Sequence, residues 1–592
     1  MNNSSIGFTQ LSIGNVFTNA VYIVPDYQRE YVWKQEQIDQ LINDLLEASN
    51  VKYPKPYFLG TIVTYHGSDG TFELIDGQQR LTTFFLLLCA IKQRYSKDNI
   101  DTTSIAYQLY STSIGINGVP QPSYRLELQY VGSNNCLDMI YNDKPQSGVL
   151  TESEKSLFKA YDSIKETLDK EFPDSDKEKF QEFVGFVFNM TNFIRIETYD
   201  ISDALKIFET INQRGVGLDS MDLLKNMLFR SVSRKEFSDL NGDWKSITKT
   251  IENIKEKPLR FLRYFIMANY DTSDCKDGIL REDDIYNWLT KNNNQCRYKE
   301  EPFKFVQKMK ENVEAYAKYR EPNNNDNGDI HLKNIPLLAG SSYKLHLMLM
   351  LAAVNMNEEA KAKFKGVIES VVYYTVINRI TTNETERLFV DWCSRIRKIK
   401  TANELDNFIE SQITPKVNGW KADNEINFMR LGLNSMQQYR IKFILGKITA
   451  YVDAMLLSKT TVDDLSSYID SAVDIEHIMP QTCDDKSAYK ITDEEYDLYI
   501  NRLGNLTLLE NSINRSIHND NYKEKSQSYK ASKFHLTRSL PELVDQGQNN
   551  AITRTNKMLR AWSEWTKDSI DERQKMLYEL SERIWSLSPS AT

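Results

Sequence analysis

The chain has no C-x-x-C pair: its six cysteines, Cys89, Cys136, Cys275, Cys296, Cys393 and Cys483, lie scattered through 592 residues. That spacing excludes a zinc ribbon and a disulfide framework, and it suits a reducing cytoplasm. No stretch is apolar for long enough to cross a bilayer. The longest, Leu81–Ile91 and Leu345–Val354, are interrupted by two threonines and by a histidine, and read as buried helices. The first residues (MNNSSIGFTQ) hold no basic segment followed by an apolar run, so neither a secretory signal nor a membrane partner is expected. No G-x-x-x-x-G-K-[ST] phosphate loop occurs, and no internal repeat. Positive charge is also short, with a net of −9. Net charge decides little in a long chain, however, because phosphate contacts depend on local patches. Asn521–Arg560 holds eight Lys or Arg (Lys523, Lys525, Lys530, Lys533, Arg538, Arg554, Lys557, Arg560) against Glu524, Glu542 and Asp545.

What is present is ordinary for a compact protein: 41% hydrophobic, 26% charged and 11% aromatic residues. Such a length exceeds what one core can serve. A first domain is expected over 1–235: residues 1–110 read as mixed α/β, with strands at Tyr57–Tyr65 and Thr71–Ile75 and a helix at Leu81–Arg94, and residues 150–235 read as mainly helical. Residues 236–435 keep helical periodicity, with polar loops expected at Asn292–Gln295 and Glu321–Asp329. Residues 436–592 differ again: two short strand-like stretches, Asp474–Pro480 and Leu503–Leu509, precede helices. The expected fold is mainly α, with an α/β N-terminal domain, an all-helical middle and a small β-containing C-terminal domain.

Two constellations carry chemistry. In DIEHIMP (Asp474–Pro480), Glu476 and His477 are adjacent at a strand end; downstream, RLGNLTLLENSIN sets Asn505 and Asn514 nine residues apart. A one-metal nuclease needs hard oxygen ligands for Mg²⁺ or Mn²⁺, a neutral imidazole to deprotonate water, and a neighbour to orient that ring. Glu476 and Asn514 can supply the oxygens, His477 the base and Asn505 the orienting contact. His518 is a rival to Asn514.

The second constellation has three parts: IVPDYQREYVW (Ile23–Trp33), LIDGQQRLTT (Leu74–Thr83) and FETINQRGVGLDSMDLLKN (Phe208–Asn226). The strand–Gly77–helix junction of the middle part exposes helix N-terminal N–H groups, a seat for phosphate; Arg80 adds a fork-shaped cation, and Asp76 could hold Mg²⁺ or a water. Asp222 and Lys225 could pair along a helix, and Tyr27, Tyr31 and Trp33 suit a core or a stacked base equally.

Taken together, these motifs resemble the GmrSD-type modification-dependent (type IV) restriction endonucleases. EHIMPQ, LGNLTLLE, the later Asn and the helix from Tyr522 resemble the C-terminal His-Asn-His domain of the ββα-metal nucleases over about 440–570. The ordered N-terminal trio resembles the GmrS-like domain, similar in fold to ParB and sulfiredoxin, over about 10–230. The resemblance implies an NTP-regulated endonuclease of phage defence with NTPase activity, acting on modified double-stranded phage DNA, and a possible homodimer. It implies a nucleotide at Gln28, Arg29, Asp76, Gly77, Gln78, Gln79 and Arg80, with Asn212 and Arg214 within reach, and a DNA phosphate at Lys525. Many family members have Asp where this chain has Glu476. A nucleotide-switched DNA-binding regulator and an abortive-infection nuclease indifferent to modification are the alternatives.

Overall fold

A six-stranded mixed sheet organises the N-terminal part of the computed structural model, which describes residues 6–587 apart from 27, 29, 68–69, 115–119, 131–132, 147–149, 214–219, 322–328, 460–463, 484–485, 518 and 544–549. The chain forms two compact units, Met1–Ser246 with Arg297–Val306, and Ile247–Cys296 with Gln307–Thr592. Most of the helices read as a middle domain fall in the second unit with the C-terminal strands, but residues 236–246 and 297–306 belong to the first.

The first unit's strands are β1 (Gly7–Ser12), β2 (Tyr22–Val24), β3 (Tyr57–His66), β4 (Phe72–Asp76), β7 (Leu126–Leu128) and β8 (Thr191–Thr198), in the order β1-β8-β3-β4-β2-β7. A separate hairpin pairs β5 (Tyr110–Ile114) with β6 (Pro120–Tyr124). The two strands expected at Tyr57–Tyr65 and Thr71–Ile75 are β3 and β4, paired antiparallel. Helix α1 (Gln35–Ser49) follows the first motif, and α2 (Gln78–Lys97) follows β4 directly. The apolar run Leu81–Ile91 is buried throughout, as a helix apolar on all sides must be when it fills a core. Gly77 makes the junction possible: its φ is +84°, in the left-handed region, and a Cβ there would sit 2.5 Å from the Ile62 Cγ2. Helices α3 (Ile201–Gln213) and α4 (Ser220–Arg230) carry the third motif.

The second unit is helical around one small hairpin, β9 (Val473–His477) against β10 (Leu506–Glu510). Asn292–Gln295, expected as a loop, instead enters a one-turn helix, Asn293–Cys296. The Asn292 amide ties it down by donating to Asp274 and to the Trp288 carbonyl. Most of the expected Glu321–Asp329 loop lies outside the described residues. Helices α5 (Asp329–Ala339), α6 (Glu358–Ile377) and α7 (Gln438–Leu456) meet at a buried ionic node. There the Glu369 carboxylate takes the His331 Nδ1 at 2.5 Å, the Asn334 amide at 3.1 Å and the Lys447 ammonium at 3.1 Å. Burial alone would raise its pKa, but Lys447 and His331 hold it down at about 2. From the same α7, Lys442 donates to the carbonyls of Asp470 and Val473, fixing where β9 starts.

Candidate active site

β9 and β10 are in regular antiparallel register, with Glu476 opposite Thr507 and His477 opposite Leu506. Strand alternation therefore puts Asp474 and Glu476 on one face and His477 on the other. Two helices follow β10: α8 (Asn511–Ile517) and α9 (Tyr522–Tyr529), the latter started by a capping box between Asn521 and Glu524.

His477 is 7% exposed. Its Nε2 lies 3.1 Å from the Asn501 Oδ1, and the Gln481 amide nitrogen lies 3.1 Å from its Nδ1. A carboxamide oxygen accepts, so Nε2 carries the proton and Nδ1 presents the lone pair, capped by Gln481. Burial lowers the imidazole pKa; the Asn501 hydrogen bond and Glu476 oppose that more weakly. The ring is thus neutral near pH 7, as a general base requires.

The asparagine hydrogen-bonded to the imidazole is Asn501, and Asn505, expected in that place, does not reach the ring. Asn505 is fully buried, and its amide is spent elsewhere. Its oxygen accepts from the Met479 N–H (2.7 Å) and the Trp565 indole (2.9 Å), while its nitrogen donates to the carbonyls of Met479 (3.1 Å) and Ile500 (2.9 Å). It fastens the segment after His477 to the segment before β10. Helix α10 (Lys567–Ile584) holds that same segment from behind. Arg573 donates to the carbonyls of Gly504 and Leu506, and Gln574 accepts from the Gly504 N–H. The approach admits only glycine at 504, where a Cβ would meet the Ile570 carbonyl oxygen at 2.2 Å.

The other face departs from expectation as well. Lys525, expected on a phosphate, is 1% exposed, and its ammonium donates to the Glu476 Oε1 and the His477 carbonyl, each at 2.8 Å. The Tyr529 hydroxyl donates to the same Oε1 at 2.8 Å. Asn514 donates through its amide nitrogen to the Asp474 Oδ2 at 3.1 Å. A carboxylate and a carboxamide are thus brought together, the donor chemistry that suits Mg²⁺ or Mn²⁺. Among the described residues no three His, Cys, Asp or Glu side chains gather closely enough to hold a metal by themselves. His518 lies outside the described residues.

In the first unit a cavity of about 300 Å³ opens where β4 passes into α2. Gln28, Trp33, Asp76, Gly77, Gln78, Gln79, Arg80, Phe208, Lys225 and Asn226 are among the residues lining it. Among the described residues no side chain caps the α2 N-terminus. Two of the expected nucleotide residues have their polar ends engaged by backbone. Gln79 accepts from the Val32 N–H and donates to the Glu30 carbonyl, stapling the first motif to α2; Arg80 donates to the carbonyls of Leu59 and Thr61. Asp76 has a pKa raised by burial, which Arg80, 3.8 Å away, partly offsets. The Gln28 amide nitrogen is buried without a hydrogen-bond partner. Asn226, 7% exposed, makes no side-chain hydrogen bond to a described residue. Tyr31 belongs to the core, bonded to Thr83, whereas Trp33 reaches the cavity. Arg29, Arg214 and the side chain of Asn212 lie outside what is described.

Two family models match the chain: the GmrSD restriction endonuclease N-terminal domain over residues 12–229 and the C-terminal domain over residues 421–580. The chain belongs to the GmrSD restriction endonuclease family. No curated protein matches it.

Both GmrSD domains contain contributors that sequence reasoning missed. Asp474 and Gln481 lie within the C-terminal motifs but were given no role, and Asn501 precedes the second one without a distinguishing pattern. Trp565, Arg573 and Gln574 return from far downstream. Asn226 ends the third motif, where its neighbour Lys225 had been read only as half of a helical pair.

Proposed function

We propose that this GmrSD-family chain is a DNA endonuclease of phage defence that is regulated by a nucleoside triphosphate, hydrolyses it, and requires a modification in its DNA target. The observation that carries the nuclease reading is His477: a buried, neutral imidazole held through Nε2 by Asn501, with the lone pair of Nδ1 capped by the amide of the exposed Gln481. Displacement of Gln481 by a water places that water's proton against Nδ1. His477 then acts as general base toward the scissile phosphate. Oxygen donors on the hairpin face of Asp474 and Glu476, with Asn514, would hold one divalent ion. When bound, such an ion polarises the phosphate and stabilises the leaving oxygen. Arrangement of the hairpin and its following helices is consistent with the ββα-metal class.

The N-terminal cavity supports the nucleotide reading. Phosphates would meet the uncapped N-terminus of α2 and Lys225, while Gln28 and Asn226 supply hydrogen-bonding groups and Trp33 an aromatic face. A ParB/sulfiredoxin-like fold is consistent with the mixed sheet. Cytoplasmic action on double-stranded DNA fits the absence, among the described residues, of a helix long and apolar enough to cross a membrane. Side-by-side digestion of modified and plain DNA, with and without NTP and Mg²⁺, tests the whole reading. Equal cutting of both DNAs regardless of nucleotide would leave an unregulated nuclease in its place.

A further inference from the structure

We infer that Asp474, rather than Glu476, is the carboxylate that joins Asn514 in holding the divalent ion, and that Lys525 is a built-in counter-cation for Glu476. This rests on the nuclease reading above and concerns the division of labour within that site.

The two carboxylates share a face of β9, yet their surroundings are opposite. Glu476 is 6% exposed, and one of its oxygens already takes an ammonium and a phenol. Lys525 and Tyr529 are four apart on α9, so they stand one above the other and converge on that oxygen. Both are essentially sealed from water, at 1% and 0% exposure. A dication seated on Glu476 would face that buried ammonium at close range and be repelled by it in a poorly screened interior. Lys525 cannot step aside without also releasing the His477 carbonyl, and with it the backbone of the base. Glu476 thus spends one oxygen on a phenol and on a buried cation that also serves the position of His477.

Asp474 has none of this. It is only partly buried, and its one side-chain partner is the neutral Asn514 amide at 3.1 Å. Among the described residues nothing donates to its Oδ1, and nothing donates to the Asn514 Oδ1. A carboxylate oxygen and a carboxamide oxygen with no competing cation are hard donors of the kind Mg²⁺ and Mn²⁺ take, with water and phosphate completing the shell. Any ion so placed is one strand residue pair away from the peptide of His477.

The test is Mn²⁺ binding to the full-length protein without DNA or nucleotide, read from the electron paramagnetic resonance of the unbound ion. Asp474→Asn should weaken Mn²⁺ binding by about 10- to 100-fold. A Glu476→Gln, Lys525→Met double variant, which removes both charges and keeps an acceptor for Tyr529, should bind Mn²⁺ within a few-fold of wild type. The reverse pattern, loss in the double variant with Asp474→Asn unaffected, would overturn the assignment. So would unchanged binding in both. A wild-type protein that binds no Mn²⁺ and cuts DNA in excess chelator would instead defeat the nuclease reading itself.

Discussion

The N-terminal cavity and the C-terminal hairpin solve the same problem in the same way. In each, a compact motif mixes residues that build the backbone scaffold with residues left facing open space. DGQQR spends Gln79 and Arg80 on carbonyls and N–H groups of neighbouring segments, leaving Gln28 and Asn226 from other motifs to face the cavity. EHIMPQ and LGN spend Glu476 and Asn505 on fastening, and in our proposal the chemistry falls to His477 and to Asp474 with Asn514. The difference is in what does the fastening. The cavity is held by local strand and helix backbone, the hairpin by side chains that return from α9 and α10. Motif membership therefore indicates where a site is, and hydrogen-bond accounting indicates which members serve it.

The sharpest division should come from His477→Ala, expected to cut cleavage by about 10²- to 10⁴-fold or more while leaving nucleotide binding and melting temperature nearly unchanged. Equal loss of both activities in a folded variant would collapse the distinction between the two sites. The pH profile carries a sign. Because burial lowers the imidazole pKa, the base stays neutral on the acid side of its ordinary value near 6.5, so cleavage should persist below that pH before falling. A rate that already halves above it would contradict the buried base. Lys525→Met should next destabilise the C-terminal domain by roughly 3–5 kcal/mol, since it strands a buried carboxylate, and neutralising Glu476 as well should restore much of that. Asn505→Ala should cost about 3 kcal/mol by calorimetry, because it leaves buried backbone groups of Met479 and Ile500 unpaired. A normally stable but inactive Asn505→Ala protein would return that residue to the chemistry. At the cavity, Gln28→Ala and Asn226→Ala should each weaken nucleotide binding by about 0.5–1.5 kcal/mol without lowering stability, whereas Gln79→Ala should lower stability first. Smallest of all, Lys530→Ala with Lys533→Ala should flatten the salt dependence of DNA binding by up to about two contacts. Lys525, being sealed, should not add a third.

Much of this was legible in the sequence. The strand-like stretches Tyr57–Tyr65 and Thr71–Ile75 and the apolar run at Leu81–Ile91 announced β3, β4 and α2, because each element's burial is set by its own residues. The acid–His pair and the spaced asparagines announced the hairpin site for a similar reason: strand ends and following helices constrain chemistry locally. Sequence did not disclose which asparagine orients the imidazole. Asn501 and Asn505 are four apart, and only the fold, through Trp565 and the Met479 peptide, shows that the second is consumed. Lys525 misled for a related cause. A lysine in a basic stretch reads as solvent-facing, and nothing in its neighbours says that Glu476 lies beneath it.

The seat of α10 against the hairpin has a consequence for the order in which the protein is made. Trp565, Arg573 and Gln574 leave the ribosome after every residue of the hairpin and of α8 and α9, yet they hold the segment on which Asn505 and β10 depend. A nascent chain that already displays His477 and Asn514 still lacks the parts that set their spacing. Synthesis therefore delivers the parts of the hairpin first and the residues that hold them last.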